Sequence, residues 1–320
     1  MDFSLSTMSD GTAEPEQDIV ILGSGPAGLA AAVYAARAER KPLVLAGADI
    51  GGQVALTDTI ENYPGFPEGI KGVELYELFQ KQAERFGARV DFSSATAVDL
   101  GARPFRVTAD SGTYRAAALI VATGASPRKL GVPGEAEFAG KGVSYCATCD
   151  GAFFKGRALA VVGGGDSALE EGIFLTRYAA SVTIIHRRGE LRAGAILRQR
   201  AERNSKIRFL LETVVDEIRG PDRVTGVAVR SVAGGKTDVL PVDGVFVFIG
   251  HNPNTALFRG GLAMDEQGYL RVDDRMRTSV EGVFAAGEAC DPTFRQVATS
   301  AGMGVQAAMS AERWLAENRG

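Results

Sequence analysis

The sequence predicts an α/β fold built of two similar domains, the second inserted into the first. Three observations predict it. Short apolar strands alternate with helical segments along the chain. A strand, a glycine turn and a helix follow one another twice, at Gly23 and at Gly163. Two stretches rich in Gly and Pro, residues 124–134 and 250–254, bracket the second of these units, as linkers into and out of an inserted segment would.

The elements follow in order. Asp18-Ile-Val-Ile-Leu22 is a short apolar strand ending at Gly23. Residues 26–38 are alanine-rich, with Pro26 in the first helical turn, where its missing N–H costs nothing. Pro42-Leu-Val-Leu45 is the next strand, which completes a βαβ unit. Residues 72–86 form an amphipathic helix, with Leu75, Leu78, Phe79, Gln82 and Phe86 on one face. Residues 117–122 make a buried strand ending in Thr123-Gly124. The second unit runs through a strand at 158–162, a helix at 166–180 and a strand at 181–185, with further buried strands at 245–249 and 283–286. A final helix covers residues 298–317.

Composition narrows the function. The 320 residues correspond to roughly two domains, and 45% hydrophobic with 23% charged residues is ordinary for a chain that buries a core. Glycine is abundant, at 40 residues, against an average of about 7%. It clusters at the ends of apolar runs, which points to turns and phosphate loops. The net charge is −4, and the densest basic cluster is the seven residues 186–192 with three arginines. That suits one phosphate group and is too local for nucleic acid. Residues 1–17 are polar, without the basic start and apolar stretch of a signal peptide, and read as a flexible tail. No run of about 18 apolar residues suggests a membrane span. A cytoplasmic protein is expected.

Gly23-Ser24-Gly25-Pro26-Ala27-Gly28 is a G-x-G-x-x-G sequence in its full strand–turn–helix context. The first glycine makes the turn and the second lets backbone approach a pyrophosphate. The third allows close helix–strand packing, and the helix N-terminus offers free N–H groups to phosphate. The acidic residue that commonly grips a ribose after the second strand is missing, since Ala46-Gly47 stands there. Gly163-Gly164-Gly165-Asp166-Ser167-Ala168 is the G-x-G-x-x-A form of the same fingerprint. His186, Arg187 and Arg188 end its following strand, with Arg192 a turn later. Arginines there favour the 2′-phosphate of NADP over NAD. Two Rossmann-like sites imply two redox cofactors, with FAD and a nicotinamide the plausible pair.

There are three cysteines, Cys146, Cys149 and Cys290. Cys146-Ala-Thr-Cys149 in an α/β chain reads as a redox pair, because two intervening residues let a turn bring the sulfurs to about 2.05 Å. Asp150 is adjacent and is the natural proton donor and acceptor for thiol chemistry. Half of a zinc site and two inert buried cysteines are the alternatives. Zinc would need two more ligands, and only one more cysteine and two histidines exist, far away in sequence. Cys290 reads as a small buried apolar residue, and His251 as a linker residue. Gly51-Gly52-Gln53 and Glu61-Asn62-Tyr-Pro-Gly65 are either simple turns or loops held against a ligand.

Together these motifs resemble the low-molecular-weight thioredoxin reductase family from about Asp18 to the C-terminus. The most specific are the two fingerprints, Gly51-Gly-Gln53, Glu61 to Gly65, Cys146 to Gly151, His186-Arg-Arg188 with Arg192-Ala193, and Arg295-Gln296 with Thr299. The resemblance implies a homodimer of two-domain subunits, each domain a three-layer ββα Rossmann-like unit. Residues 18–124 and 254–320 would bind FAD, and residues 129–250 would bind NADPH and carry the disulfide. FAD would meet Gly23, Ser24, Gly25, Pro26, Ala27, Gly28, Gly51, Gly52, Gln53, Asn62, Thr123, Gly124, Gly287, Glu288, Arg295, Gln296 and Val297. NADPH would meet Gly163, Gly165, Asp166, Ser167, His186, Arg187, Arg188 and Arg192. Cys149 would face the flavin, Cys146 would attack the disulfide of thioredoxin, and Asp150 would be the acid/base. The inserted domain would rotate about the two linkers, to bring nicotinamide and disulfide in turn to the flavin.

Two positions depart from the family pattern. Glu288 stands where the family usually has Asp, and Ala152 precedes Phe153 and Phe154 where two aromatics usually follow at once. Other readings of the chain are weaker. A flavin–ferredoxin or flavodoxin reductase typically lacks the cysteine pair, and a dithiol oxidase would not need the arginines. A non-catalytic nucleotide-binding regulator would need neither.

Overall fold

The structure is a computed structural model, and it describes residues 16–57 and 59–318. The expected flexible tail therefore falls mostly outside the described residues, while Glu16 and Gln17 already belong to the first strand, Glu16–Leu22. The chain divides into two compact units. The first comprises Met1–Ala55, Val73–Gly124 and Pro253–Gly320, and the second Leu56–Gly72 and Ala125–Asn252.

The sheet of the first unit runs in the order Arg89–Asp91, Leu43–Leu45, Glu16–Leu22, Gly112–Val121, and these four strands are parallel. The long strand Gly112–Val121 then forks along its other edge. Its last residues pair in parallel with Val283–Ala285, and its first residues pair antiparallel with Phe105–Ala109, which in turn carries Ala95–Asp99. The fork separates a parallel layer from an antiparallel one. Phe105-Arg-Val-Thr-Ala109 alternates buried and less buried residues, as a strand with one face on a core must.

Helices Pro26–Arg37 and Val297–Asn318 pack together through small side chains. Ala27, Ala31, Ala32, Ala35 and Ala36 share one core with Ala307, Ala308, Ala311 and Leu315. A methyl group placed on Gly304 would overlap the carbonyl of Ala27, so the helices touch backbone to backbone there. Helix Gly72–Arg85 differs from the expected face. Leu75, Tyr76 and Ala83 are buried, whereas Leu78 is 47% exposed. The buried stripe leans toward Tyr76, whose ring lies against Gly51, and this turns Leu78 outward.

The second unit repeats the plan. Its five-stranded sheet is parallel throughout, in the order Val143–Ser144, Gly244–Val247, Ala158–Val162, Ser181–Ile185, Ile207–Leu210. A separate antiparallel sheet of Thr213–Arg219, Gly226–Ser231 and Thr237–Pro241 supplies the other layer. The expected helix over 166–180 ends at Leu175, where the Thr176 hydroxyl donates to the Ile173 carbonyl at 2.7 Å. Among the described residues no helix is long and apolar enough to cross a membrane.

Gly304→Ala should lower stability by about 1–3 kcal/mol, because the helices must part to admit the methyl group. Thermal unfolding followed by circular dichroism checks this, with Gly302→Ala, where the added methyl meets open space, as the control.

Candidate active site

The redox turn is built at the end of strand Val143–Ser144. The Ser144 hydroxyl accepts the Cys146 N–H at 3.1 Å and donates to the Cys146 carbonyl at 3.2 Å, so the chain closes tightly on itself. Cys146 then caps the short helix Ala147–Asp150. The Cys146 and Cys149 sulfurs are bonded at 2.10 Å, which removes the zinc and inert-thiol readings. Two donors point at the Cys146 Sγ, the Cys149 N–H at 3.2 Å and the Thr148 hydroxyl at 3.3 Å. Ala147 is buried beneath the turn and both cysteines are half-buried. Asp150 ends the helix and is also half-buried. Among the described residues no group of three or more His, Cys, Asp and Glu side chains could hold a metal.

The two fingerprints fold alike. Gly23 has φ +108°, and Gly28 sits so close to the Gly23 carbonyl that any Cβ would overlap it. Gly25 faces open space, which leaves backbone accessible at the start of helix Pro26–Arg37. The Ser24 hydroxyl is engaged within the protein. It accepts the Gly51 N–H at 3.0 Å and donates to the Ala46 carbonyl at 3.3 Å, tying the fingerprint to the loop of Gly51 and Gly52. Gly287, at φ +69°, packs on Ala27 and brings the segment of Glu288, Arg295, Gln296 and Val297 to the same unit. Asp291, which the sequence reading passed over, shapes that segment by accepting the N–H groups of Thr293, Phe294 and Arg295. Its signal was an Asp before Pro and Thr, a turn-former that bonds nearby backbone. Asn62 and Gln53 lie in different units, on Leu56–Gly72 and Met1–Ala55 respectively.

In the second unit a Cβ on Gly163 would meet the Phe248 carbonyl and the Ala168 methyl, while Gly165 faces space that only the tip of Arg192 approaches, at 3.9 Å. The Gly164 carbonyl accepts the N–H groups of Arg192 and Ala193 at 2.7 and 3.1 Å. Asp166 accepts the Gly194 N–H at 2.7 Å. These bonds fasten Arg192 to the fingerprint. Ser167, Arg187, Arg188 and Arg192 are exposed. His186 is 5% exposed, and its ring packs against Gly164 with a buried Nε2 that has no partner. Burial first, and then the charges of Arg192, Arg188 and Arg187, hold its pKa below the ordinary value against one raising bond to the Glu190 backbone. The ring therefore adds no fourth positive charge near neutral pH.

Residues 17–304 match the Pyridine nucleotide-disulphide oxidoreductase family. A thioredoxin reductase of Mycolicibacterium smegmatis is 50% identical over 307 residues, which is 96% of this chain and 99% of the relative. The crystal structure of thioredoxin reductase from Streptococcus pyogenes superposes with a TM-score of 0.91 at 40% identity, covering 95% of this chain and 100% of the other. This chain belongs to the thioredoxin reductase family. A protein of Pseudomonas fluorescens named glucosaminate ammonia-lyase is also similar, 48% identical over 306 residues, covering 93% of this chain and 95% of that one.

Enzymes of the thioredoxin reductase family use FAD and NADPH, and the residues present fit both. In the first unit the buried Thr123 hydroxyl has no partner, the Thr123 backbone lies against Gly23, and Gly25 faces open space. In the second, Gly165 is open but for the tip of the exposed Arg192, and Arg187 and Arg188 are exposed at the end of the following strand. The family position at Glu288 is half-buried on the 3-10 turn Gly287–Ala289. Burial, helped by Asp291 and opposed by Arg295, pushes its carboxyl up to about 7. Cys290 is the free cysteine, and its Sγ donates to the Gly287 carbonyl at 3.4 Å. Burial and Asp291 push this thiol up to about 12, so it stays protonated and unreactive at neutral pH.

The raised Glu288 pKa has a sign for stability. Between the ordinary carboxylate range and about 7 the folded chain holds a proton that the unfolded chain has released. The contribution is complete below that ordinary range and is lost as pH rises through 7. In urea unfolding at pH 5 and pH 8, the wild type should lose more stability on going to pH 8 than Glu288→Gln does. Equal losses would remove the assignment.

Proposed function

We propose that this chain reduces the disulfide of thioredoxin with electrons from NADPH, through the Cys146–Cys149 pair. The observation that carries the reading is the bonded cysteine pair next to Asp150, in the same unit as the arginine-bearing fingerprint. Residues 18–124 and 254–320, most of which lie in the first unit, are the FAD domain, and residues 129–250, most of which lie in the second, form the NADPH domain. Support comes from one complete fingerprint at the carboxyl ends of each parallel sheet, where such sheets take ligands. The similarity to the family supports a homodimer. A thiol-based reductase of this kind works in a reducing compartment, which supports a cytoplasmic location.

Bound FAD supplies the two-electron relay between the nicotinamide and the disulfide. The protein residues manage the sulfur chemistry. Two electrons and one proton break the Cys146–Cys149 bond, leaving Cys146 as the thiolate and Cys149 as the thiol, whose proton Asp150 takes when Cys149 attacks; the second proton for thioredoxin comes from solvent. The Cys146 thiolate attacks one sulfur of the thioredoxin disulfide and expels the other as a thiolate. Cys149 then attacks Cys146, which re-forms the internal disulfide and releases the second thioredoxin thiol. Two electrons and two protons reach thioredoxin, and the pair ends oxidised. Elimination of ammonia transfers no electrons to an acceptor, so it would leave the cysteine pair and the arginine trio without a role.

Anaerobic titration of the yellow holoenzyme with NADPH should bleach the flavin, and oxidised thioredoxin should restore it. Cys149→Ser should keep the bleaching and lose the recovery, and Asp150→Asn should slow turnover by about 10²-fold or more. Bleaching without recovery in the wild type would move the acceptor elsewhere. Arg188→Ala or Arg192→Ala should raise KM for NADPH by about 10- to 100-fold while changing KM for NADH little, as loss of a charge-assisted phosphate contact predicts. Equal effects on both nucleotides would show that these arginines do not read the 2′-phosphate.

A further inference from the structure

One buried carboxylate of the second unit is tied to the redox turn, and no step above uses it. Glu135 is 3% exposed. One of its oxygens accepts the Leu130 N–H at 2.8 Å and the Tyr145 hydroxyl at 3.0 Å, and the other accepts the Gly131 N–H at 2.8 Å. A carboxylate can stay buried only when donors replace the water it has lost, and these three do so. Burial, and then the charge of Glu135 beside it, push the Tyr145 hydroxyl well above its ordinary pKa, so the phenol remains a donor.

Tyr145 is the residue before Cys146. The backbone on its far side is closed by the Ser144 hydroxyl, which bonds both the N–H and the carbonyl of Cys146. Ser144 is itself 5% exposed and fixed in the sheet, its strand paired with Gly244–Val247. The start of the redox turn is thus held twice, once through backbone by Ser144 and once through a side chain by Glu135. The second hold also reaches Leu130 and Gly131, within the expected linker at residues 124–134.

We infer that Glu135 and Tyr145 are positioning residues for Cys146: the buried carboxylate anchors the Tyr145 hydroxyl and so fixes where the attacking sulfur stands once the disulfide has opened. The inference rests on the assignment of Cys146 as the sulfur that attacks thioredoxin. The hydrogen bonds to the Cys146 sulfur come from Thr148 and Cys149, and Glu135 and Tyr145 act on it through the backbone. Their effect should appear in which sulfur reacts and how fast, since displacement of a reacting group by about 1 Å can cost up to about 10²-fold.

The test uses the full-length holoenzyme, reduced anaerobically with NADPH and pulsed with iodoacetamide. The thiolate displaces iodide to form a thioether, and mass spectrometry reads the labelled site. Wild type should label Cys146 in preference to Cys149. Tyr145→Phe keeps the ring and removes the bond; it should lower that preference and the thioredoxin turnover by about tenfold, with NADPH bleaching of the flavin unchanged. Glu135→Gln should act in the same direction, and the double variant should lose no more than the larger single loss. Wild-type preference and turnover in Tyr145→Phe, whatever its thermal stability, would overturn the inference, as would losses that multiply in the double variant. Preferential labelling of Cys149 in the wild type would instead remove the assignment of Cys146, and the inference with it.

Discussion

A backbone can come this close to its neighbours only where it carries no side chain, and in the first unit three glycines make such approaches around Ala27. Gly28 presses on the Gly23 carbonyl, Gly304 on the Ala27 carbonyl and Gly287 on the Ala27 methyl. The first fixes the turn between strand and helix. The other two fasten a segment from the far end of the chain onto the beginning of that helix. Glu288, Arg295, Gln296 and Val297 reach the fingerprint's unit because of these contacts, and between them Asp291 sets the turn into Arg295 by accepting the N–H groups of Thr293, Phe294 and Arg295. The alanine-rich sequence of both helices follows from the same constraint, since larger side chains would hold their axes apart.

The second unit solves the same packing problem with Gly163 against Phe248 and Ala168, and adds charge. Where the first unit has Ala46 and Gly47 after its second strand, the second has Arg187 and Arg188, with Arg192 fastened to the Gly164 carbonyl. Burial first, and then the charges of Arg192, Arg188 and Arg187, hold the His186 pKa below its ordinary value, which disfavours a further positive charge beside the arginines. Electrostatics thus separates two otherwise similar turns into one site suited to a 2′-phosphate and one that is not.

Much of this was legible in the sequence because it depends on local chemistry. Gly23, Gly25 and Gly28, the second fingerprint, and the Cys146–Cys149 pair each announce a conformation or a reaction within a few residues. What was not legible depends on distant partners. The face of helix Gly72–Arg85 was misjudged at Leu78, because the ring of Tyr76 packs on Gly51 and draws the helix round. The antiparallel strands were not located, although Phe105 to Ala109 alternates as a strand should. The fingerprint also does not announce that the Ser24 hydroxyl ties it to Ala46 and Gly51. Glu135 and Tyr145 are ten residues apart and carry no motif, so only the fold brings them together.

The proposed chemistry turns on an asymmetry between two sulfurs that the Cys-x-x-Cys spacing by itself treats alike. The Cys149 N–H and the Thr148 hydroxyl both point at Cys146 Sγ. The most direct measurement is to trap the transfer intermediate. Reduced Cys149→Ser enzyme is mixed with thioredoxin carrying one attackable disulfide, and the covalent complex is mapped by peptide mass spectrometry. A mixed disulfide at Cys146, formed in high yield and absent from Cys146→Ser, is the predicted result. No complex with Cys149→Ser, together with one at Cys149 in Cys146→Ser, would contradict the account.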